Sequence, residues 1–425
     1  MNVTLQAPVF DGAVVAPTSK SAAHRVLIAA AFANAQTRVR VSGAGADIAA
    51  TVRCLAALGA TITEQPDKSG AWLDVTPIRT TVQNAVLDCG ESGSTLRFMV
   101  PIVAALGTGA TFIRRGRLPE RPMQPLSDEL LAHGVRSTDN PDGSLTVTGK
   151  LTAGDYRIAA NVSSQFVTGL LFALSLARDP STLTLTGEIE SAPYIDMTVN
   201  ALATFGAAPL CKDRRVYRMA GSKAAPLITP GTLYPEGDFS GAAFPLAAGA
   251  VGAHPVTVSG LDLSTAQGDA AILELLARFG AKVEISPETG SVTVSPAPLR
   301  GIEIDAKQIP DLVPILAVIA AKATGRTVIR GAARLRLKES DRIATTAALL
   351  RALGGKVTEA DDGLIIDGAP LTGGTVDGAG DHRIVMSGAI AALFANGAVT
   401  VTGAEAVEKS YPAFFELIRN PNERL

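Results

Sequence analysis

The stretch Asp88-Cys89-Gly90-Glu91-Ser92-Gly93-Ser94-Thr95-Leu96-Arg97 lies between a short apolar run, Ala85 to Leu87, and an apolar segment, Leu96 to Leu106. The run predicts the end of a strand, and the segment predicts a helix. Glycines at the junction let backbone N–H groups come close to a ligand, and a helix N-terminus favours negative charge. Arg97, about one turn into the helix, can bind a carboxylate or phosphate through its guanidinium fork. The stretch therefore indicates either an anion pocket or an ordinary glycine-rich turn, and the rest of the chain must decide.

One sequence pattern recurs along the chain: a predicted helix ends at a glycine, and a predicted strand follows. The glycines stand at intervals of 75, 72, 74 and 74 residues: Gly59, Gly134, Gly206, Gly280 and Gly354. Each suits the first position beyond a helix. A period this long predicts repeated αβ modules, and a sixth fits after Gly380, ending in Phe414 to Ile418. We therefore expect six copies of one mixed αβ unit, three in each of two domains.

The clearest break in the chain is the stretch from Pro226 to Asp238, which contains Pro226, Pro230 and Pro235 and two glycines. Proline and glycine interrupt regular structure, so this stretch predicts a crossover between domains. A length of 425 residues is enough for about two or three domains.

Composition excludes several classes of function. Hydrophobic residues make up 47% of the chain and charged residues 18%, which is typical of a globular protein. The net charge of −2 argues against nucleic acid or an anionic membrane as partner. Three cysteines without a C-x-x-C pair, and a start that resembles no signal or transit peptide, lead us to expect a reduced, cytoplasmic setting. The apolar run Leu312 to Ala321 is too short to span a bilayer.

Clusters of polar residues stand at the starts of several apolar helices. Each alone is compatible with a solvated helix start or a mobile loop. Their cations are Lys20, Arg25, Arg97, Arg121, Lys338, Arg342, Arg383 and Lys409. If the helix starts converge, these side chains create a local positive field suited to small, highly anionic substrates. The four histidines are scattered and no G-x-x-x-x-G-K-[ST] loop is present, so we expect neither a metal site nor a nucleotide loop.

Taken in order, the motifs make the whole chain resemble the 5-enolpyruvylshikimate-3-phosphate (EPSP) synthase family. They are Ser19-Lys20-Ser21 with Arg25, Gly90 to Arg97, Glu120 to Met123, Ser163 to Phe166, Ser191 to Thr198, Glu236-Gly237-Asp238, Lys338 to Arg342, Asp381-His382-Arg383, and Lys409. The resemblance implies an α/β fold: a two-domain inside-out α/β barrel, each domain built from three repeated βαβαββ units. It places domain one at 19–228 and domain two at 1–18 and 229–425. The hinge would lie near 16–19 and 226–238.

The resemblance also implies the reaction. The enolpyruvyl group of phosphoenolpyruvate would pass to the 5-hydroxyl of shikimate 3-phosphate by addition and elimination through a tetrahedral ketal. This is a step of the shikimate pathway of aromatic amino acid biosynthesis. Neither cofactor nor metal is implied, glyphosate is an expected inhibitor, and we expect a monomer.

The resemblance assigns roles to individual residues. The catalytic residues would be Asp311, Glu339 and Lys20. Those binding shikimate 3-phosphate would be Lys20, Ser21, Arg25, Ser163, Ser164, Gln165, Ser191, Tyr194, Asp311 and Lys338. Those binding phosphoenolpyruvate would be Lys20, Gly93, Arg121, Gln165, Arg342, Arg383 and Lys409. Two positions depart from the family pattern: Phe98 follows Arg97 where a proline is usual, and Arg334 replaces a common asparagine.

Three other interpretations compete with this one. The cell-wall enolpyruvyl transferase shares the fold but carries a reactive cysteine in the loop corresponding to Arg114–Met123, which here has none. An RNA-end-processing enzyme would need a more basic chain and a catalytic histidine motif. A non-catalytic anion-binding protein would not need the acids Asp311 and Glu339, which are costly beside anions.

Overall fold

The structure, a computed structural model, describes residues 1–10 and 12–420. This part of the chain forms eleven α-helices and twenty-five strands. The helices are α1 (Lys20–Ala31), α2 (Ala46–Ala57), α3 (Gly93–Leu106), α4 (Leu126–Ala132), α5 (Ser164–Leu176), α6 (Ala192–Thr204), α7 (Phe239–Val251), α8 (Ile272–Phe279), α9 (Val313–Lys322), α10 (Arg342–Ala352) and α11 (His382–Ala391).

The strands are short and spread over the whole described chain. They are β1 (Asn2–Leu5), β2 (Val9–Phe10), β3 (Ala13–Val15), β4 (Thr37–Val41), β5 (Thr61–Asp67), β6 (Gly70–Thr76), β7 (Ala85–Asp88), β8 (Ala110–Ile113), β9 (Val135–Asp139), β10 (Leu145–Gly149), β11 (Asp155–Ala159), β12 (Ser181–Thr186), β13 (Leu210–Lys212), β14 (Val216–Met219), β15 (Thr232–Leu233), β16 (Val256–Ser259), β17 (Lys282–Ser286), β18 (Ser291–Ser295), β19 (Glu303–Asp305), β20 (Arg326–Arg330), β21 (Lys356–Ala360), β22 (Gly363–Asp367), β23 (Thr372–Asp377), β24 (Asn396–Thr402) and β25 (Ile418–Arg419). The mixture establishes an α/β fold.

The chain divides into two compact units. We call Lys20–Pro235 the central unit, and Met1–Ser19 together with Glu236–Leu425 the terminal unit. The second boundary thus falls after Pro235, later than the 228/229 boundary that the resemblance implied. The reason is β15, which pairs in parallel with β4 and so keeps the chain in the central unit up to Pro235. Residues 421–425 of the expected second domain lie outside the described part.

The central unit contains three four-stranded sheets, in the orders β15-β4-β6-β5, β7-β8-β10-β9 and β11-β12-β14-β13. In the second and third, the chain runs strand, helix, strand, helix, strand, strand, and the first two strands pair in parallel. In the first sheet β15, from the far end of the unit, supplies the parallel partner of β4. The βαβαββ pattern therefore holds for the central unit, with one strand contributed out of sequence order.

The terminal unit repeats the pattern twice and then departs from it. Its four-stranded sheets have the orders β17-β18-β16-β3 and β19-β20-β22-β21. Its third main sheet has only β23, β24 and β1, with β1 antiparallel to β24. After β24 the chain enters the 3₁₀ turns Ala404–Lys409 and Phe414–Leu417 instead of a hairpin. The expectation of six complete copies is therefore wrong for the sixth, whose missing edge is filled by the N-terminal strand.

Two kinds of helix alternate along the chain. The helices α3, α5, α7, α9 and α11 are almost wholly buried and apolar, and α7 is buried at every residue. The helices α2, α4, α6, α8 and α10 end close to the repeat glycines. All five glycines adopt a positive φ, between 76° at Gly354 and 115° at Gly59. The predicted helix-ending role of these glycines is confirmed, because that backbone region is open to glycine at little cost.

Membrane-spanning helices and metal-binding clusters are both absent from the described residues. No helix there combines the length and apolarity needed to cross a membrane. No group of three or more His, Cys, Asp or Glu side chains in residues 1–10 and 12–420 is arranged to hold a metal ion.

Candidate active site

The glycine-rich turn of the central unit connects β7 to α3. Ser92 caps the helix, and its Oγ accepts a hydrogen bond from the backbone N–H of Thr95 at 3.3 Å. The first N–H groups of a helix have no acceptor within it, so those of Gly93 and Ser94 remain suited to an anion. The guanidinium of Arg121 lies against Gly93, where an added Cβ would come within 2.7 Å of Arg121 Nη1. The structure thus brings together two of the residues predicted to bind phosphoenolpyruvate.

Gln165 is oriented from both ends of its amide. Arg97 Nη1 donates to Gln165 Oε1 at 2.8 Å, and Gln165 Nε2 donates to Ser94 Oγ at 2.9 Å. Arg97 also donates to the carbonyl of Pro122 at 3.1 Å, so it ties α3 to the loop that carries Arg121. Arg97 therefore supports the predicted ligands Gln165 and Arg121.

Arg25 ties the start of α1 to α5 and α6. It donates to the Ser21 carbonyl at 2.6 Å, to the Tyr194 carbonyl at 2.8 Å, and to the hydroxyls of Thr198 and Thr168 at 2.9 and 3.2 Å. Burial lowers the pKa of Arg25 to about 10, so the side chain stays charged near neutral pH. In this state Arg25 organises its neighbours, and any contact with shikimate 3-phosphate would add to these bonds.

The remaining polar ligands predicted for the central unit also stand at helix starts. Lys20 opens α1, and its Nζ lies 2.9 Å from Asp47 Oδ2. Ser163 caps α5 by accepting from the N–H of Gln165, and Ser164 is the first residue of that helix. Ser191 precedes α6 with a φ of 54°, a conformation uncommon for a residue other than glycine.

Asp311 is the centre of the charged cluster in the terminal unit. It lies in the 3₁₀ turn Pro310–Leu312 before α9. Arg342 Nη1 is 2.8 Å from Oδ1, Arg383 Nη2 is 3.2 Å from Oδ2, and Lys338 Nζ is 3.5 Å from Oδ1. Glu339 completes the cluster, since its Oε2 accepts from Arg342 Nη2 at 2.9 Å. The structure thus groups both predicted proton-transfer acids with three of the predicted cationic ligands.

The cluster shifts the pKa values of its members. Burial raises the pKa of Asp311, but the surrounding cations Lys338, Arg383 and Arg342 outweigh it and hold that pKa well below its usual range. Asp311 is therefore a carboxylate at neutral pH. Burial, only partly offset by Asp311, lowers the pKa of Lys338 to about 8. Lys338 can thus change its protonation state close to neutral pH.

Asp381 fixes both arginines of the cluster. It is fully buried and receives hydrogen bonds from Arg342 Nε at 2.8 Å and Arg342 Nη2 at 3.2 Å. Its other role is to cap α11, because Oδ1 accepts from the backbone N–H of Arg383 at 3.0 Å. Burial tends to lower the pKa of Arg342, but Asp381, Glu339 and Asp311 outweigh it and raise that pKa. Lys409, buried at the end of its 3₁₀ turn, is also in this unit.

Both departures from the family pattern occupy structured positions. The ring of Phe98 lies 5.3 Å below the guanidinium carbon of Arg25 and makes an edge contact with the ring of His24. Arg334 donates to the backbone carbonyl of Lys307, and its positive charge contributes to lowering the pKa of Lys338. Neither residue contacts Asp311 or Glu339 in the bonds described above.

Sequence reasoning assigned no role to three supporting acids, although Asp381 stands in one of the quoted motifs. Asp47 pairs with Lys20, and Asp381 holds Arg342. Asp269 is buried beside Ser240, whose hydroxyl donates to it; burial and the nearby charge of Asp311 raise the pKa of Asp269 to about 7. The capping role of Asp381 could have been predicted from its place before an apolar helix. The partners of the other two depend on tertiary contacts that have no local sequence signal.

Comparison with known proteins decides the family. The model of the family described as EPSP synthase (3-phosphoshikimate 1-carboxyvinyltransferase) matches residues 6–418. The chain belongs to the EPSP synthase family. This confirms the family and the enzyme class predicted from the sequence.

Individual members of the EPSP synthase family match over almost their full length. A 3-phosphoshikimate 1-carboxyvinyltransferase of Clostridium kluyveri is 39% identical, covering 98% of this chain and 96% of its own. One of Halobacterium salinarum is 40% identical, covering 98% of both chains. The solved EPSP synthase of Acinetobacter baumannii has a TM-score of 0.80 at 26% identity, covering 98% of this chain and 99% of its own.

Proposed function

We propose that this chain transfers the enolpyruvyl group of phosphoenolpyruvate to the 5-hydroxyl of shikimate 3-phosphate and releases phosphate, as a step of aromatic amino acid biosynthesis. Membership of the EPSP synthase family supports this proposal, and so does the position of Asp311. This carboxylate contacts three cations just before a buried helix. A protein that only bound anions would not need the negative charge of a carboxylate there, because it repels them.

Charge is the main difficulty of this reaction. The two substrates together carry roughly five to six negative charges, and their mutual repulsion grows as water leaves the site. We assign phosphoenolpyruvate to Lys20, Gly93, Arg121, Gln165, Arg342, Arg383 and Lys409. We assign shikimate 3-phosphate to Lys20, Ser21, Arg25, Ser163, Ser164, Gln165, Ser191, Tyr194, Asp311 and Lys338. Cations fixed by their own hydrogen bonds stabilise such charge without reorganising during the reaction.

Asp311 is the group we assign to take the proton of the 5-hydroxyl. In the structure Lys338, Arg383 and Arg342 hold its pKa low, which keeps it ionised but makes it a weak base. An incoming phosphoenolpyruvate would share both arginines, and the pKa of Asp311 would then rise towards its ordinary range. Binding of one substrate would thereby prepare the base for the other.

Glu339 and Lys20 are assigned the other proton transfers. Glu339 would deliver a proton to the methylene carbon as the hydroxyl attacks C2, and recover one from the resulting methyl group in the elimination. Lys20, held by Asp47, would assist the departure of phosphate from the tetrahedral ketal. General acid–base groups of this kind contribute about 10²- to 10⁴-fold each.

We further propose that the two compact units form the two-domain inside-out α/β barrel of the family, with the hinge at 16–19 and 226–238. The residues that we assign to the two substrates come from both units, so we expect the units to close on binding. Small-angle scattering should show a smaller radius of gyration with saturating shikimate 3-phosphate than without it. Equal radii would rule out closure on this ligand. We also propose a cytoplasmic monomer that glyphosate inhibits in competition with phosphoenolpyruvate.

The decisive experiment is phosphate release on mixing the purified chain with both substrates. We expect release only when both are present, with omission of either one as the control. Replacing shikimate 3-phosphate by UDP-N-acetylglucosamine should give no release. Release with that acceptor, or none with the proposed pair, would overturn the assignment.

A further inference from the structure

A relay of buried hydroxyls lies behind the glycine-rich turn in the central unit. His24 Nδ1 is 2.7 Å from Thr51 Oγ1, and Thr51 Oγ1 is 2.8 Å from Thr95 Oγ1. Thr95 Oγ1 is in turn 2.8 Å from Ser92 Oγ and 3.4 Å from the carbonyl of Asp47. The side chains of Thr51 and Thr95 are fully buried, and Ser92 and His24 are almost so. The relay links α1, α2 and the start of α3.

Thr95 is the branching point of this relay. A hydroxyl has one proton to donate, so Thr95 Oγ1 donates either to Ser92 Oγ or to the Asp47 carbonyl, and its lone pairs can accept from Thr51. One neighbour, Ser92, is the cap of α3 and also accepts from the backbone N–H of Thr95. Another, the Asp47 carbonyl, belongs to the residue whose carboxylate holds Lys20. Thr95 therefore connects the glycine-rich turn with the support of Lys20.

The relay ends at His24. Burial lowers the pKa of His24 to about 3, so the ring is neutral and has a single N–H. Its Nε2 is buried without a hydrogen-bond partner in the described residues. A neutral ring at the end of the relay suits a role in holding positions.

We propose that Thr95 is a positioning residue for phosphoenolpyruvate, which holds the glycine-rich turn in register with Lys20 through Ser92 and Asp47. This rests on the proposed function. The N–H groups of Gly93 and Ser94 follow the cap directly, so a displaced Ser92 moves them. Shikimate 3-phosphate is assigned mainly to residues at the starts of α1, α5 and α6. Of these three helices, the relay contacts only α1, through His24. A defect in the relay is therefore expected to act on one substrate more than on the other.

The test compares Thr95→Val with Thr95→Ser. Valine keeps the shape but loses the hydroxyl, whereas serine keeps it. We expect Thr95→Val to raise the KM for phosphoenolpyruvate roughly three- to tenfold, the range of one hydrogen bond, and to change the KM for shikimate 3-phosphate less than about twofold. Thr95→Ser should stay within about twofold of the parent for both. Thr51→Val, one step back in the relay, should have the same effect in weaker form and replaces Thr95→Val if that variant does not fold.

Two results would overturn the proposal. One is an unchanged KM for phosphoenolpyruvate in the valine variants. The other is an equal rise for both substrates together with a lower melting temperature, which indicates a structural role only. Phosphoenolpyruvate binding is measured by calorimetry in the same samples. If the parent protein binds phosphoenolpyruvate but releases no phosphate, the proposed function is refuted. The role of Thr95 is then decided by comparing the phosphoenolpyruvate affinities of the parent, Thr95→Val and Thr95→Ser.

Discussion

Replacing Gly93 by alanine tests the contact between the glycine-rich turn and Arg121. The backbone at Gly93 is not in the left-handed region, so alanine can adopt it without strain. The new Cβ would lie 2.7 Å from Nη1, 2.9 Å from Cζ and 3.0 Å from Nη2 of Arg121. An ordinary contact begins near 3.4 Å, so the guanidinium must move by roughly 0.7 Å. The side chain is flexible, so we expect a stability loss of no more than about 1 kcal/mol.

The effect on the substrate should be much larger than the effect on stability. A displacement of about 1 Å in a positioning group can cost about 10²-fold. We therefore expect Gly93→Ala to raise the KM for phosphoenolpyruvate about 10- to 100-fold, with the KM for shikimate 3-phosphate within about twofold. The glyphosate inhibition constant should rise further still, because the longer inhibitor fills more of the pocket. Steady-state phosphate release measures all three.

Arg121→Ala, alone and combined with Gly93→Ala, supplies the control. If the methyl group acts by displacing the guanidinium, it should cost little once the guanidinium is gone, and the two effects should be strongly non-additive. Additive effects would show that Gly93→Ala acts by another route. A KM for phosphoenolpyruvate equal to that of the parent would remove Gly93 from the site.

Three further predictions follow from the charged groups. Asp311→Asn and Glu339→Gln should fold and bind shikimate 3-phosphate but lose about 10²-fold or more in turnover; near-parental turnover in either would remove that residue from the mechanism. Burial and the charge of Asp311 raise the pKa of Asp269 to about 7 in the folded chain. The protonated carboxyl therefore stabilises the fold fully below about pH 4, and this stabilisation is lost as the pH rises through 7. Asp269→Asn should therefore reduce the difference in urea unfolding free energy between pH 5 and pH 8, and an unchanged difference would contradict this. Arg97→Lys keeps the charge but cannot bridge Gln165 and the loop, so the KM for phosphoenolpyruvate should rise, which kinetics at constant pH would test.

The repeat was predictable because its signal is local. The helices α2, α4, α6, α8 and α10 each end close to a glycine whose positive φ depends on a few neighbouring residues, as at Gly59 and Gly280. The family resemblance already placed residues 1–18 in the second domain, but the pairing partners of β15 and β1 were not predictable. β15 has two residues and β1 has four, and each pairs with a strand far away in the sequence. Strands this short carry no pattern that identifies a distant partner.

The candidate ligands were named from the sequence and their roles stay predictions, whereas the pairing among the charged groups of the site was not predictable. Lys20, Arg121 and Arg383 stand in motifs that the family resemblance identifies. Which carboxylate holds which cation depends on how helices pack, so the pairs of Lys20 with Asp47 and of Arg342 with Asp381 came only from the structure. The weak basicity of Asp311 has the same origin, since it results from Lys338 and Arg342 in one segment and Arg383 in another.

The order of the chain through its two units has a consequence for synthesis. The central unit is one continuous segment, Lys20–Pro235, and all its sheets can pair as soon as that segment has left the ribosome. The terminal unit pairs Asn2 with Thr402 and Val14 with Val258, so its first strands must wait for partners made much later. Such distant pairing slows folding. During translation the N-terminal strands would remain unpaired beside an already folded central unit, and the terminal unit would be completed only near the end of synthesis.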